Sequence, residues 1–371
     1  MDEQTKHFNL INIYHDLHEL AEISGEEHQT TRYLTNHLQQ LGLHVHHFKT
    51  TTGLYVEVGH GKRIIALRAD IDAVDQQVNG EWRPNHSCGH DAHMTIALGV
   101  ISNLLNRHST LPEDHTYRFI FQPAEETGLG AMSLCKEGVI DDVSMLFGMH
   151  LRPIQELSSG QYSPAIQHGA SRFMTGTITG DDAHGARPHL NVNSIQVGMD
   201  FVAKLNAMSL DPMATYSAKM TAFHAGGKSP NIIPGNAHFS LDLRADENDT
   251  MELLTANIMN IKDTLRSYYG VEIELTIGDD TPGAVIDETA EAILSKAIVE
   301  CVGEQNLKPR LHTPGSDDFH NYTIYHPALK ATMLGIGCNL EPGLHHPAMH
   351  FDLDQLRAAV RILSHAMQIS T

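Results

Sequence analysis

The stretch Asn85 to His93 reads Asn-His-Ser-Cys-Gly-His-Asp-Ala-His and crowds together more potential metal-binding groups than any other segment. Cys88 and His90 stand two apart, so in an extended loop their side chains can face the same way. Gly89 between them lets the backbone bend toward an ion. A thiolate and an imidazole are what a borderline-soft divalent metal prefers. A chain with 27 histidines in 371 residues can produce such a cluster by chance, so its weight depends on what accompanies it.

Glu125-Glu126 follow Pro123 at the end of a strand-like run, so two adjacent carboxylates leave an irregular turn in different directions. One can bind metal while the other takes a proton from a water and later passes it to a leaving group; an isolated Glu-Glu pair is more commonly a solvated acidic turn. His150 ends another apolar run, where a ligand and a histidine bonded to backbone are equally good readings. In Gly343-Leu344-His345-His346-Pro347 two neighbouring imidazoles diverge, which leaves room for one ligand. His184-Gly185-Ala186-Arg187-Pro188-His189 reads as a turn with Pro near a helix start, or as a place from which a histidine donates to a developing oxyanion. Asn231-Ile232-Ile233-Pro234 after Gly226-Gly227, with Arg244 at the end of the next strand, puts a polar group and a guanidinium near one turn. A guanidinium suits a substrate carboxylate. His312, His320, His326 and His350 read as surface or structural, and His44, His46 and His47 as a strand edge.

These residues need elements to position them. Met94, Ala97, Leu98, Ile101, Leu104 and Leu105 recur at helical spacing, so the Cys88 loop enters a helix packed on a core. Leu10 to Ala21 and Tyr33 to Leu41 predict two amphipathic helices, the second ended by Gly42. Arg63 to Ala69 reads as a buried strand running into Asp70-Ile71-Asp72, Tyr117 to Gln122 runs into Pro123-Ala124-Glu125-Glu126, and Met145 to Met149 runs into His150. Strands alternating with helices predict an α/β sheet, whose ligands collect outside the carboxyl ends of the strands. From Phe173 to Ile277 the order becomes β-α-β-β-α-β, the ferredoxin-like arrangement. We therefore expect an inserted α+β domain over 171–281 inside a catalytic metal-binding domain made of 1–170 and 282–371. Helix Thr289 to Val302, a strand near Ala331 to Leu334 and a last helix carrying Leu356, Val360, Leu363 and Met367 complete the second part.

The formal net charge of -20, with 19% charged and 41% hydrophobic residues, argues against nucleic acid or an anionic membrane as partner. Cys88, Cys135, Cys301 and Cys338 form no Cys-x-x-Cys pair or dense framework, which points to a reducing compartment. The first residues lack the basic start and apolar run of a signal peptide, and no apolar segment is long enough to span a bilayer. A cytoplasmic location is the expectation.

Taken together and in this order, Arg68-Ala69-Asp70-Ile71-Asp72, Ser87-Cys88-Gly89-His90-Asp91-Ala92-His93, Phe121-Gln122-Pro123-Ala124-Glu125-Glu126, Gly148-Met149-His150, Asn231-Ile232-Ile233-Pro234 and Leu344-His345 span nearly the whole chain. In them it resembles the dinuclear metal amidohydrolases that cleave N-acyl amino acids, the aminoacylase-like, hippurate and indoleacetyl-amino-acid hydrolases. Asn85 to His93 and Ala183 to Leu190 are most similar to the AmhX-type bacterial members. The resemblance implies a mixed sheet sandwiched by helices, like a metallo-exopeptidase, with the inserted domain as lid and dimerisation unit. It implies two divalent ions per chain (zinc, manganese, cobalt or nickel), with Cys88 bridging them and His90, Glu126, His150 and His345 completing the ligands. Glu125 becomes the general base, and Asp72, Asp91 and His93 orient ligands. A homodimer through the inserted domain brings His184 to the partner's site for the oxyanion, while Asn231 and Arg244 hold the substrate carboxylate.

Two departures bear on substrate. Gly180-Asp181-Asp182-Ala183 stands where the family usually has a Gly-Lys-Gly-Gly type sequence, and Asp317 in Gly315-Ser316-Asp317-Asp318-Phe319 stands where Glu is usual. The expected function is a metal-dependent amidohydrolase acting on an N-acyl amino acid or a similar small amide. A dipeptidase or carboxypeptidase on the same scaffold, and a non-catalytic metal-binding homologue, remain alternatives.

Overall fold

The computed structural model describes residues 9–107 and 111–370. The chain forms two compact units, one of Met1–Gln167, Val285–His312 and Asp318–Thr371, the other of His168–Ala284 and Thr313–Asp317.

The first unit is built on a seven-stranded mixed sheet. Four central strands run parallel: His115–Gln122 beside Arg63–Asp70, then Val143–Pro153, then Lys330–Leu340. Leu54–Gly59 joins one side and Tyr162–Ser163 the other, both antiparallel, with Val45–His47 outermost next to Leu54–Gly59. The central strands are near-continuous apolar runs because both faces are covered. Along Arg63–Asp70, Ile65, Leu67 and Ala69 face a core filled from helices Leu10–Glu19, His90–Asn106, Glu288–Val302 and Gln355–Ile369. Ile64 and Ala66 face the other, with Ala131 and Leu134 of Gly130–Lys136 and Phe319 and Tyr322. Parallel pairing places the carboxyl ends of Arg63–Asp70 and His115–Gln122 side by side, Asp70 opposite Gln122. The strand expected to stop at Met149 continues through His150 to Pro153, and the second helix starts earlier than its apolar face suggests, at His28.

The sequence reading passed over a hairpin, Val74–Val78 with Glu81–Asn85. Its turn is Asn79-Gly80, both at positive φ, the dipeptide that a two-residue hairpin favours.

The second unit is a four-stranded antiparallel sheet with Ala170–Thr179 and Ala237–Ala245 central, Tyr216–Ala225 and Glu272–Thr281 at the edges. Ser194–Ala207 and Asn248–Tyr269 supply Val197, Phe201, Leu254 and Ile258 to its core. On Ala237–Ala245 the residues alternate, with Phe239, Leu241 and Leu243 buried against the helices and Ser240, Asp242 and Arg244 on the opposite face. No helix among the described residues is long and apolar enough to cross a membrane.

Candidate metal centre

The loop after the Val74–Asn85 hairpin turns into helix His90–Asn106 through Gly89, which sits in the left-handed region at φ 89°. A side chain there would also meet Leu151, whose Cδ1 lies 2.9 Å from where a Cβ would be. Gly89 is required twice over, by backbone conformation and by packing. The turn aims Cys88 at two imidazoles, with its Sγ 3.5 Å from His150 Nε2 and 3.3 Å from His345 Nε2.

The ring nitrogens that do not face the centre are held from outside. His90 Nδ1 lies 2.9 Å from the Asp72 carbonyl and 3.1 Å from Asp72 Oδ1, and His150 Nδ1 lies 2.7 Å from the Leu151 carbonyl. In the neutral ring a proton on Nδ1 would leave Nε2 with the lone pair that a metal takes. Among the described residues His90 Nε2 is buried without a hydrogen-bond partner, a costly condition in a protein interior that a bound cation would relieve. The same Asp72 accepts from Ser24 Oγ at 2.7 Å and from the Glu126 backbone N–H at 3.0 Å, so one carboxylate fixes both the His90 ring and the Glu126 main chain.

The two carboxylates leave a turn held in shape by Ala124 at φ 56°. Glu126 Oε1 lies 3.4 Å from His345 Nε2 and 3.9 Å from His90 Nε2. Glu125 Oε2 lies 3.8 Å from His90 Nε2, and Oε1 accepts from the Asp318 N–H at 3.4 Å. Donor atoms of Cys88, His90 and His150 lie within 4.8 Å of one another, as do those of Cys88, Glu126 and His345, and those of His90, Glu125 and Glu126. Asp70, His90 and His93 form a further buried group, but its donors are committed. His93 Nδ1 lies 2.6 Å from Asp70 Oδ1 while its Nε2 accepts from the Leu151 N–H, and Asp70 Oδ2 is paired with Arg68.

The electrostatics call for positive charge. Burial and the Glu126 carboxylate push the Cys88 thiol well above its ordinary range. Burial opposes a charge on His90, yet the Asp70 carboxylate and Cys88 outweigh it and hold the imidazole pKa well above normal. The hydrogen bond that the Glu126 carboxylate accepts from His345 raises the pKa of that imidazole. A sulfur, three imidazoles and two carboxylates, converging and short of cations, suit a borderline divalent metal.

The description "Peptidase family M20/M25/M40" matches residues 66–369. The chain belongs to this family. Among its relatives are an N-acetylcysteine deacetylase of Bacillus subtilis, 28% identical over 377 residues and matching 97% of this chain and 96% of that protein. An IAA-amino acid hydrolase of Arabidopsis thaliana is 28% identical over 332 residues, 84% of this chain and 75% of that one. A solved Bacillus subtilis structure, described as a dinuclear metal binding peptidase from the M20 family, superposes with a TM-score of 0.81 at 25% identity over 97% of each chain.

Other residues singled out in this M20 chain stand as follows. Asp91 lies 2.6 Å from His18 Nδ1 and accepts from the Ala92 N–H. His346 turns back to accept from the Ala348 N–H, while His345, at φ 62°, faces Cys88. His184 is exposed and accepts from the Ala186 N–H. Its strand pairs with Ile232, and the Asn231 carbonyl accepts from the Gly185 N–H at 2.7 Å. Asp182 Oδ1 accepts from the Gly235 N–H, so that departure from the family sequence closes a turn. Arg244 is paired with Asp242. His320 is buried, and His312 is exposed.

The sequence reading quoted Arg68, Gln122 and Asp318 within motifs without giving them a role, and it passed over Glu27 and Gln76. Arg68, wholly buried, binds Asp70, Asp318 and Gln122. The Asp318 carboxylate also takes the Gln122 amide at 2.7 Å and the Ala131 N–H at 2.8 Å. Buried Glu27, its pKa raised by that burial, accepts the Ala124 N–H at 2.9 Å and so fixes the turn before Glu125. Gln76 of the hairpin donates to the His345 carbonyl at 2.9 Å. Only the hairpin had a local signal, Asn79-Gly80.

Proposed function

We propose that this chain is a metal-dependent amidohydrolase that cleaves the amide bond of an N-acyl amino acid or similar small conjugate. The observation that carries the proposal is the convergence of Cys88, His150 and His345 beside the orphaned Nε2 of His90, with a second carboxylate, Glu125, next to the one that approaches His345. Cys88, His90, Glu126, His150 and His345 would hold two divalent ions. Bound there, such ions lower the pKa of a water and polarise the amide carbonyl. Glu125 takes the proton of the attacking water and returns it to the departing amine. Asp72 and His93 hold the ligand frame, and Asp91 acts more remotely, through His18.

The inserted unit would make a homodimer and supply His184 to the oxyanion, with Asn231 and Arg244 receiving the substrate carboxylate. The family's relatives named as deacetylase and amino acid hydrolase support the substrate class. Four unpaired cysteines support a cytoplasmic setting. The test is a chelator-stripped protein reconstituted with zinc, manganese, cobalt or nickel and assayed on N-acyl amino acids and on dipeptides with free amino termini. We expect no turnover when stripped, and restored hydrolysis of N-acyl amino acids at two equivalents of metal. Binding of two equivalents with no hydrolysis of any panel member would overturn the assignment.

A further inference from the structure

We propose that Asp242 and Phe173 are positioning residues that hold the Arg244 guanidinium with one edge presented for a substrate carboxylate. The proposal rests on the reading of Arg244 as the carboxylate-binding residue and adds what sets its aim.

Asp242 and Arg244 stand two apart on the helix-free face of strand Ala237–Ala245. Phe173 on the neighbouring strand pairs with Asp242, and Ser171 with Arg244. Arg244 is therefore the diagonal neighbour of Phe173, within reach of a long side chain. The guanidinium lies over the Phe173 ring, 5.2 Å from its centroid. Its Nε donates to Asp242 Oδ1 at 2.7 Å, and Nη2 approaches Asp242 Oδ2 at 3.4 Å. Asp242 thus takes the side edge of the planar fork and Phe173 carries its face, while Nη1 and the outer N–H of Nη2 have no partner among the described residues. That remaining end edge offers two parallel N–H groups, the geometry a carboxylate accepts bidentately.

Arg172 shows the contrast. Its Nε and Nη2 bind Asp280, Nη2 also binds Glu252, and Nη1 binds Thr255, so all three of its nitrogens are occupied in a structural role. The Arg244–Asp242 pair, with side chains 35% and 30% exposed, is of the kind that adds little to stability. Orientation is what it provides.

The alternative effect of Asp242, competition for the guanidinium, has the opposite sign and can be separated. The probes are the best-hydrolysed N-acyl amino acid of the panel above and its own carboxamide, which lacks the negative charge. In Asp242→Ala we expect KM for the acid to rise about fivefold to tenfold, the scale of one lost orienting hydrogen bond, with kcat and the carboxamide KM unchanged. Asp242→Asn keeps an acceptor oxygen for Nε and should stay within about twofold of the parent. Phe173→Ala should raise KM for the acid in the same selective way. A fall or no change in the acid KM of Asp242→Ala, equal shifts for both probes, or Asp242→Asn behaving as Asp242→Ala would overturn the orienting role. Arg244→Gln reports on the underlying reading: it should erase the preference for acid over carboxamide, and if the preference survives, Arg244 is not the carboxylate site and its orientation by Asp242 has no bearing on substrate.

Discussion

Replacing Glu125 by Gln tests the proposed division of this site into a proton-transferring carboxylate and the metal-holding residues. Gln has the same shape, and its carbonyl oxygen can still accept the Asp318 N–H now 3.4 Å from Glu125 Oε1. The surrounding turn is held by groups the substitution leaves alone: the Gly128 N–H to the Glu125 carbonyl, the Gly130 N–H to the Ala124 carbonyl, and Glu27 on the Ala124 N–H. The side chain is only 11% exposed, so bulk water is a poor substitute for the lost base. What disappears is basicity. A positioned general base contributes about 10²–10⁴ in rate, which at 1.36 kcal/mol per decade is about 3–5 kcal/mol of barrier. We expect kcat on the preferred N-acyl amino acid to fall by about two to four orders of magnitude, with KM within about threefold, since the substituted group takes no part in ground-state binding. Metal content, measured by elemental analysis on dialysed protein, should match the parent. Turnover within tenfold of the parent would refute the assignment of the base. A drop in bound metal would refute it differently, by making Glu125 a ligand, which its 3.8 Å approach to His90 Nε2 also permits.

Arg68→Met leaves Asp70 and Asp318 buried without their shared cation, and chemical denaturation should show a loss of about 3–5 kcal/mol; a change under 1 kcal/mol would mean that the cluster is neutral in the parent. Gly130→Ala puts a Cβ 1.9 Å from the Pro123 carbonyl oxygen, so the turn bearing Glu125 and Glu126 must shift. We expect about 3 kcal/mol of destabilisation together with weaker metal retention, and unchanged metal affinity would separate the turn from the site. Because burial holds the metal-free Cys88 thiol protonated well above its ordinary pKa, metal loading must expel that proton. Calorimetry in buffers of different ionisation enthalpy should find more protons released per ion by the parent than by Cys88→Ala, and affinity should rise with pH; identical proton release would exclude a thiolate ligand.

What the sequence determined by itself is local. Alternation of apolar runs with helical periodicity specified the parallel sheet and the second, antiparallel unit, because a strand buried on both faces has no choice but to be apolar throughout. The Cys88-Gly89-His90 spacing and the Pro123 turn marked the stretches whose side chains converge, since a left-handed glycine and an irregular turn are set by the residues that occupy them. Even the overlooked hairpin was written in Asn79-Gly80. The tertiary structure decided everything that depends on which distant groups meet. Asp91 answers His18, 73 positions earlier in the chain; Arg68 answers Asp318, 250 positions away; of two adjacent imidazoles, His345 faces the sulfur and His346 turns back. Arg244, read as a guanidinium suited to a substrate carboxylate, is bonded to Asp242 and lies over the Phe173 ring. Such pairings carry no periodicity. They follow from strand register and from the cost of burying a charge or a hydrogen-bonding atom alone, and both of those exist only once the chain has packed.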